Sequence, residues 1–177
     1  MQMKPWPLPL FLALAACASV PQRAPLPTSP VPPPPVEVQI LAINDFHGNL
    51  EPPKSSVPAK DAAGNDVPVP VGGVAYLTGA LNVLRQGQAN TITVSAGDLI
   101  GASPITSALF LDEPTIHAMN LLGLELNAVG NHEFDKGTAE LLRMQSGGCE
   151  KHTSRTPCAV EPFAGARFRF LAANVRT

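Results

Sequence analysis

The sequence predicts an α/β domain, in which strands and helices alternate and build a largely parallel sheet covered by helices. Three observations support this prediction. Short β-branched, apolar runs alternate with segments of helical periodicity; each run ends in a group of polar residues; and about 140 residues follow a proline-rich leader, enough for one core-forming domain. In such βαβ arrangements, ligands bind at the carboxyl ends of the strands.

Residues 36–43 form the first predicted strand, because they are β-branched and almost wholly apolar towards their end, and the run stops at Asn44. Residues 52–70 show no periodicity and are rich in Pro, Ser, Gly and Asp, which predicts a long surface loop. Apolar residues then recur at helical spacing between Gly72 and Gly87, which predicts an amphipathic helix. The apolar positions of this helix are Val74, Leu77, Leu81 and Leu84.

The same cycle of strand and helix then repeats. The predicted elements are a strand at 91–95, a helix at 114–122, a strand at 126–129, a helix at 138–144 and a final strand at 168–175. The pair Gly97-Asp98 follows the second strand, and Gly130-Asn131 follows the third. The chain therefore delivers polar residues to one edge of the sheet from three separate strands.

The first 35 residues differ in composition from the rest, since they hold eleven of the 20 prolines. Within residues 1–16, Lys4 precedes an apolar run that is too short to span a membrane and has the length of a signal-peptide core. The segment Leu14-Ala15-Ala16-Cys17 resembles the lipobox of bacterial lipoproteins, which implies cleavage before Cys17 and attachment of lipid to that residue. The alternative is an ordinary signal peptide with an incidental cysteine.

Residues 17–35 form a predicted linker, in which the run from Pro32 to Pro35 favours an extended polyproline-II spacer. We expect an exported protein on the periplasmic or cell-surface side, anchored to a membrane through its lipid. Because Ala18 resembles the residue found there in lipoproteins sorted to the outer membrane, that membrane is favoured. The formal net charge of −2 argues against binding of nucleic acid.

Two cysteines, Cys149 and Cys158, remain beyond the leader. An even pair in an exported protein predicts a local disulfide that closes a loop. The alternative is a metal site formed by both thiols with His152, but the sequence lacks the tight Cys-x-x-Cys spacing and a fourth ligand.

Five polar residues at the predicted strand ends can bind a metal or move a proton: Asp45, His47, Asp98, Asn131 and His132. Taken singly, each has a simpler explanation, because an aspartate after a strand is more often a turn or helix-cap residue. Their joint position after three strands favours one shared site.

Three segments carry a resemblance to a known family. Asn44-Asp45-Phe46-His47-Gly48-Asn49-Leu50, Ser95-Ala96-Gly97-Asp98 and Gly130-Asn131-His132-Glu133-Phe134-Asp135 resemble, in order and spacing, the first three motifs of the calcineurin-like metallophosphoesterases. Together with the strand Leu171-Ala172-Ala173-Asn174-Val175, they look like the 5′-nucleotidase branch, which includes UDP-sugar hydrolases and 2′,3′-cyclic-nucleotide phosphodiesterases. The resemblance implies the N-terminal part of a β-sandwich flanked by helices, with metal ligands at the carboxyl ends of strands.

The resemblance also implies two divalent metal ions, of zinc, manganese or iron. It makes Asp45 and His47 ligands of one ion, Asp98 the carboxylate that bridges both ions, and Asn131 a carbonyl-oxygen ligand of the second. A shared carboxylate lowers the repulsion between cations about 3.5–4 Å apart, and mixed nitrogen and oxygen ligands suit these metals. Water held by such ions loses a proton near neutral pH and can attack phosphorus in line with the leaving oxygen.

By the same resemblance, His132 faces the phosphoryl group and stabilises its charge or helps to protonate the leaving oxygen. Asp135 would hold the imidazole in the required tautomer and orientation. An alternative for Asp135 is the N-cap of the helix predicted to start near Thr138, and the two roles are compatible. Glu133 matches the motif but has no evident chemical duty.

Later motifs of the family are missing from the sequence. With His47 and His132 assigned, His117 lies in a predicted helix and His152 in the cysteine loop, so neither matches the Gly-His-x-His element that completes the metal site. The separate C-terminal domain that binds the nucleotide base is also missing. We therefore expect residues 36–177 to be a truncated catalytic domain, the N-terminal part of a longer enzyme, with poor metal binding and little activity alone.

The implied activity is metal-dependent hydrolysis of phosphate esters of nucleotides outside the cytoplasm, with a nucleotide as the substrate. Two alternatives stay open at this point. One is a non-catalytic lipoprotein module that keeps the fold, and the other is a related exported hydrolase such as a sulfur-oxidation thiohydrolase.

Overall fold

The computed structural model describes residues 33–175. The predicted signal peptide at 1–16, the lipidation at Cys17 and most of the predicted linker lie outside the described residues. Within the described part, no helix has the length and apolar character needed to cross a membrane. The compact unit that begins at Val36 contains every element given below.

Strands and helices alternate along this unit. The strands are β1 (Gln39–Ile43), β2 (Ser56–Lys60), β3 (Asp66–Pro70), β4 (Thr91–Ser95), β5 (Leu126–Ala128) and β6 (Arg169–Leu171). The helices are α1 (Gly73–Arg85), α2 (Ile105–Ala108), α3 (Glu113–Leu122) and α4 (Thr138–Ser146), and a 3₁₀ turn covers His132–Phe134. Every predicted strand and helix is present, although β1 begins three residues later and β6 ends four residues earlier than predicted.

Four of the strands form a parallel sheet in the order β1-β4-β5-β6. The strands β1 and β4 pair over their full length, from Gln39 opposite Thr91 to Ile43 opposite Ser95. The short strand β5 pairs in parallel with both β4 and β6. The prediction of an α/β fold with a largely parallel sheet is therefore confirmed.

The sheet has one covered and one uncovered face within residues 33–175. On the covered face, Leu41, Thr93 and Asn127 are buried beneath the helices. On the opposite face, Ile40 and Leu171 are 65% and 50% exposed. Because parallel sheets normally pack on both faces, the described residues build only one of the two covering layers.

The hydrophobic core lies between the covered face and three helices. Helix α1 contributes Leu81, α3 contributes Ile116 and α4 contributes Met144, and burial of each such side chain stabilises the fold by about 1.5–3 kcal/mol. The predicted apolar face of α1 is correct except for Leu84, which is exposed in the last turn. The buried members of the core are Leu41, Leu81, Leu99, Ile100, Ile116, Met119, Leu122, Leu124, Met144 and Phe168.

The prediction of a surface loop at 52–70 is wrong, because this segment contains the antiparallel hairpin β2–β3. Its turn is closed by Asp61, whose Oδ1 accepts hydrogen bonds from two main-chain N–H groups of the turn. Prolines obscured the strands, since Pro58 lies opposite Pro68 and neither has an N–H group. In a two-stranded ribbon each strand is an edge, so a proline nitrogen can face outward without loss of a ladder hydrogen bond.

Candidate active site

Three loops at the carboxyl end of the parallel sheet carry the predicted site residues. Asp45 and His47 follow β1, Asp98 follows β4, and Asn131 and His132 follow β5. Because β4 lies between β1 and β5, the loop with Asp98 occupies the middle of the site. The structure therefore brings the residues of all three motifs to one edge of the sheet.

The loops after β1 and β4 are joined by main-chain hydrogen bonds beyond the ends of the strands. Asp45 N–H donates to Gly97 O at 3.1 Å, and His47 N–H donates to Asp98 O at 3.0 Å. This pairing extends the register of the two parallel strands into the site. The spacing between the side chains on the two loops is thereby fixed by the main chain.

The main chain at three predicted metal ligands is left-handed. The φ angle is 50° at Asp45, 46° at His47 and 51° at Asp98, a region that few residues other than glycine adopt. Such a residue costs on the order of 1–3 kcal/mol, which the surrounding hydrogen bonds must offset. Strained main chain of this kind is concentrated at functional sites, and here it coincides with the residues that the motifs single out.

Ligand atoms of three side chains converge at this edge. His47 Nε2 lies 3.9 Å from Asp45 Oδ1 and 4.0 Å from Asp98 Oδ2. Donor atoms of His47, Asp98 and His132 all lie within 4.8 Å of one another. Because metal–ligand bonds of about 2.0–2.2 Å place the ligand atoms of one ion roughly 3–4 Å apart, His47 Nε2 lies close enough to each of the two carboxylates to share an ion with it.

A carbonyl group fixes the tautomer of His47. The ring Nδ1 lies 2.9 Å from Gly101 O. Because a carbonyl oxygen can only accept a hydrogen bond, Nδ1 carries the proton and donates it. The lone pair of Nε2 then faces the two carboxylates, the orientation that a histidine ligand requires.

The loop that carries Gly101 is held by Asp112, a residue that the sequence analysis missed. The buried Asp112 carboxylate accepts hydrogen bonds from Gly101 N–H at 3.3 Å, from Ser107 Oγ at 2.8 Å and from Lys136 Nζ at 2.8 Å. Burial alone would raise the pKa of Asp112, but the hydrogen bond and the charge of Lys136, with the nearby hydroxyl groups of Ser103 and Ser107, hold this pKa below its ordinary value. The charged carboxylate therefore supports the carbonyl that orients His47, the predicted metal ligand.

His132 and Asp135 form the expected pair. His132 Nδ1 lies 2.8 Å from Asp135 Oδ2, and its ring packs edge to face with the His47 ring at a centroid distance of 4.9 Å. The hydrogen bond to Asp135 raises the pKa of His132, and the charges of Asp135, Asp98 and Glu133 add to this effect against the opposing effect of burial. The pair therefore favours a protonated imidazole whose Nε2 is directed away from Asp135.

Two further predictions concern the loop after β5. Gly137 is the N-cap of α4 and no side chain caps that helix, so the alternative role of Asp135 as its N-cap is wrong. Asn131 directly precedes the 3₁₀ turn, and its side chain does not cap that turn. The role of the Asn131 amide as a metal ligand stays a prediction.

Similar proteins and a solved structure identify the family, although no family model matches the chain. An uncharacterized protein in the pqq-V 5′ region of Acinetobacter calcoaceticus is 57% identical over 141 residues, which cover 78% of this chain and 69% of that protein. The NAD 5′-nucleotidase of Haemophilus influenzae is 33% identical over 108 residues, and a solved structure of the NAD nucleotidase from that organism matches 61% of this chain with a TM-score of 0.51 at 34% identity. The chain belongs to the calcineurin-like metallophosphoesterases, in the 5′-nucleotidase branch.

Other relatives are much longer than this chain. The endonuclease YhcR of Bacillus subtilis is 35% identical over 140 residues, which cover 78% of this chain and 11% of that protein. The match to the H. influenzae NAD 5′-nucleotidase covers 17% of that protein, and the match to the solved structure covers 18% of that chain. The chain thus spans less than a fifth of these longer relatives.

A second missed residue of this metallophosphoesterase is Glu133, which lies buried between the loops after β4 and β5. Its position in the motif is visible in the sequence, but its partners are not. Two of those partners, Asp98 and Leu99, lie 35 and 34 positions away in the chain, so only the fold brings them to the carboxylate.

The cysteine loop, residues 149–158, is held by a disulfide and an ion pair. Cys149 and Cys158 are joined by a disulfide with their Cα atoms 5.5 Å apart, so the alternative metal site with both thiols is wrong. Arg143 Nη1 donates to Glu113 Oε1 at 2.7 Å and to Gly148 O at 2.9 Å. Glu113 in turn accepts a hydrogen bond from Cys158 N–H, so a buried ion pair anchors both ends of the loop.

Proposed function

We propose that this metallophosphoesterase hydrolyses phosphate esters of nucleotides in the manner of a 5′-nucleotidase, with two divalent metal ions as cofactors. The observation that carries the proposal is the convergence of His47 Nε2 with the carboxylates of Asp45 and Asp98, at 3.9 and 4.0 Å, beside the hydrogen-bonded pair of His132 and Asp135. A set of metal donors and an acid–base pair therefore share one edge of the sheet.

The charge of the site supports the need for metal ions. Three carboxylates, those of Asp45, Asp98 and Asp135, lie at this edge, and a nucleotide phosphate is itself an anion. Without cations the site would repel this substrate, whereas divalent ions held by nitrogen and oxygen donors reverse the local charge. Zinc, manganese and iron all suit this donor set. Asp45 and His47 would hold one ion, Asp98 both ions, and Asn131 the second.

When bound, such ions supply Lewis acidity, which neutralises charge on the phosphoryl oxygens and makes water a nucleophile near neutral pH. The residues of the chain orient the metal ligands and supply a proton to the leaving oxygen. Gly101 O holds the His47 ring with Nε2 towards the carboxylates. The hydrogen bond to Asp135 raises the pKa of His132 and fixes its ring, which favours the protonated form whose Nε2–H can be donated to the leaving oxygen.

We also propose that the protein is exported and anchored to a membrane by lipid on Cys17. The lipobox-like segment, the proline-rich linker and the disulfide, which is typical of oxidising compartments, support this location. There the enzyme would dephosphorylate nucleotides before uptake of the nucleoside. Incorporation of radiolabelled palmitate should be lost in Cys17→Ser, and retention of the label in that variant would refute the anchor.

The test of the activity uses the protein expressed from its complete gene, so that any residues beyond Thr177 are present. Phosphate release from AMP is measured after treatment with EDTA and after addition of Mn²⁺ or Zn²⁺. We expect His132→Ala to lower kcat by about 10²- to 10⁴-fold. The matched control is His117→Ala, an exposed histidine of α3, which should leave kcat unchanged. Metal-independent phosphate release, or an unaltered kcat in His132→Ala, would refute the proposal.

The choice of ester is tested in parallel. Because the relative YhcR is named an endonuclease, the assay also includes a 2′,3′-cyclic nucleotide, a UDP-sugar and a single-stranded oligonucleotide. The net charge of −2 disfavours the oligonucleotide. If one of these esters is hydrolysed faster than AMP, that ester takes the place of the 5′-nucleotide as the proposed substrate. If no ester is hydrolysed, the non-catalytic module is favoured.

A further inference from the structure

Glu133 accepts four hydrogen bonds behind the carboxyl ends of β4 and β5, where its side chain is buried. Its Oε1 accepts from Leu99 N–H at 2.8 Å and from Asn127 Nδ2 at 3.3 Å. Its Oε2 accepts from Asp98 N–H at 3.0 Å and from Gly130 N–H at 2.7 Å. Each carboxylate oxygen thus joins one donor from the β4 side to one donor from the β5 side.

These donors require a carboxylate. Three of the four are main-chain N–H groups that lie beyond the ends of β4 and β5, where the ladder of the sheet no longer pairs them. A carboxylate supplies only acceptors, so it satisfies all four donors. A glutamine would direct its NH₂ group at one pair of donors and leave buried N–H groups without partners.

The loops that Glu133 joins are the ones that carry Asp98 and Asn131. Asp98 is itself one of the donors, and Gly130 directly precedes Asn131. The Asp98 Oδ1 atom also accepts a hydrogen bond from His132 N–H at 3.1 Å. A side chain at Gly130 would collide with the Asp98 carboxylate, so the two loops are in direct contact. A shift of either loop would therefore move a predicted metal ligand.

We propose that Glu133 is a positioning residue, which sets the separation of Asp98 and Asn131 and thereby the affinity of the site for divalent metal. The proposal rests on the proposed function for the presence of the metal, whereas the joining of the loops stands independently. Both oxygens of Glu133 are occupied by N–H donors, so the residue acts through its neighbours.

The experiment compares Glu133→Gln with Glu140→Gln in the protein expressed from its complete gene. Glu140 is an equally buried carboxylate, but it pairs with Arg143 within α4. The first measurement is hydrogen exchange of the metal-free protein, by mass spectrometry of peptides covering residues 96–101 and 128–133. We expect exchange in both peptides to be at least about tenfold faster in Glu133→Gln and unchanged in Glu140→Gln.

The second measurement is the affinity for Mn²⁺ by calorimetry, without urea and at a temperature where both variants are folded. Loss of a residue that orients metal ligands typically weakens affinity about 10- to 100-fold, and we expect this for Glu133→Gln. Glu140→Gln should stay within about twofold of wild type, because its effect is on stability alone. An unaltered affinity in Glu133→Gln, or an equal loss in Glu140→Gln, overturns the proposal.

Glu133→Asp covers the case in which the glutamine variant does not fold. Aspartate keeps the charge but is one methylene shorter, so it can reach the donors of one loop and not both. We expect an intermediate loss of Mn²⁺ affinity, and wild-type affinity in this variant would overturn the proposal. If the wild-type protein itself binds no Mn²⁺, the proposed function fails, and exchange at the two loops alone decides the role of Glu133.

Discussion

Replacement of Asp112 by asparagine tests whether one buried charge holds the loop behind His47, the predicted metal ligand. In the wild type, Oδ2 accepts from Lys136 Nζ and Gly101 N–H, and Oδ1 accepts from Ser107 Oγ. Asparagine can turn its oxygen towards the first two donors, and Ser107 can donate instead to Thr115, whose Oγ1 lies 2.6 Å away. The substitution therefore removes charge while keeping most hydrogen bonds.

The expected loss follows from this geometry. A hydrogen bond to a charged group contributes about 1.5–3 kcal/mol, and Lys136 is 25% exposed, so water can partly replace its partner. We expect Asp112→Asn to lower the free energy of unfolding by about 2 kcal/mol, and the melting temperature by roughly 4–8 °C. Asp112→Ala leaves buried donors unpaired and should cost about 3–5 kcal/mol.

The assay is urea unfolding followed by circular dichroism between pH 3 and pH 7. Because the pKa of Asp112 is lower in the folded state, its stabilising effect is present above the unfolded value of about 3.9 and is lost as the pH falls through the folded value. The difference between wild type and Asp112→Asn should therefore be constant near pH 7 and shrink below about pH 4. A difference under about 0.5 kcal/mol at pH 7, or one that does not shrink in acid, would refute the reasoning.

Three other variants have defined outcomes. Asp135→Asn should return the pKa of His132 towards its ordinary value in an NMR titration of the metal-free protein, and an unaltered titration contradicts the pairing. Because the pKa of His132 is raised in the folded state, the pair stabilises the fold fully below about pH 6.5 and less as the pH rises through the folded value. Replacement of Cys149 and Cys158 by serine should lower the free energy of unfolding in urea by about 2.5–3 kcal/mol, and a loss under 1 kcal/mol contradicts the entropic argument. Gly130→Ala should weaken Mn²⁺ binding about tenfold or more, because its Cβ would displace the carboxylate after β4; wild-type affinity would show that the loops are not in close contact.

The sheet and the ends of its strands were predictable because apolar runs and the polar residues that end them are visible locally in the sequence. The strand at 91–95 has the predicted bounds, and polar residues follow β1, β4 and β5 as expected. The convergence of Asp45, His47 and Asp98 then follows from parallel pairing alone.

The supporting contacts were not predictable, because they join residues that are far apart in the chain. Glu133 binds donors 34 and 35 positions away, and Asp112 binds Lys136 at a separation of 24. Nothing local marks either carboxylate as buried, and charged residues are rarely buried unless paired. The hairpin β2–β3 was missed for the opposite reason. Its prolines strongly predicted a loop, but the edge strands of a two-stranded ribbon tolerate proline.

The left-handed main chain at the predicted metal ligands lowers the stability of the fold where the proposed chemistry needs these residues. Glycine adopts the conformation of Asp45 without steric penalty, and the Asp45 side chain is 58% exposed, so its loss would remove little packing. The fold would therefore become more stable in the absence of this ligand. In a laboratory selection for heat resistance that does not require phosphate release, we expect glycine or asparagine to replace this residue early. A selection that requires activity should retain the aspartate.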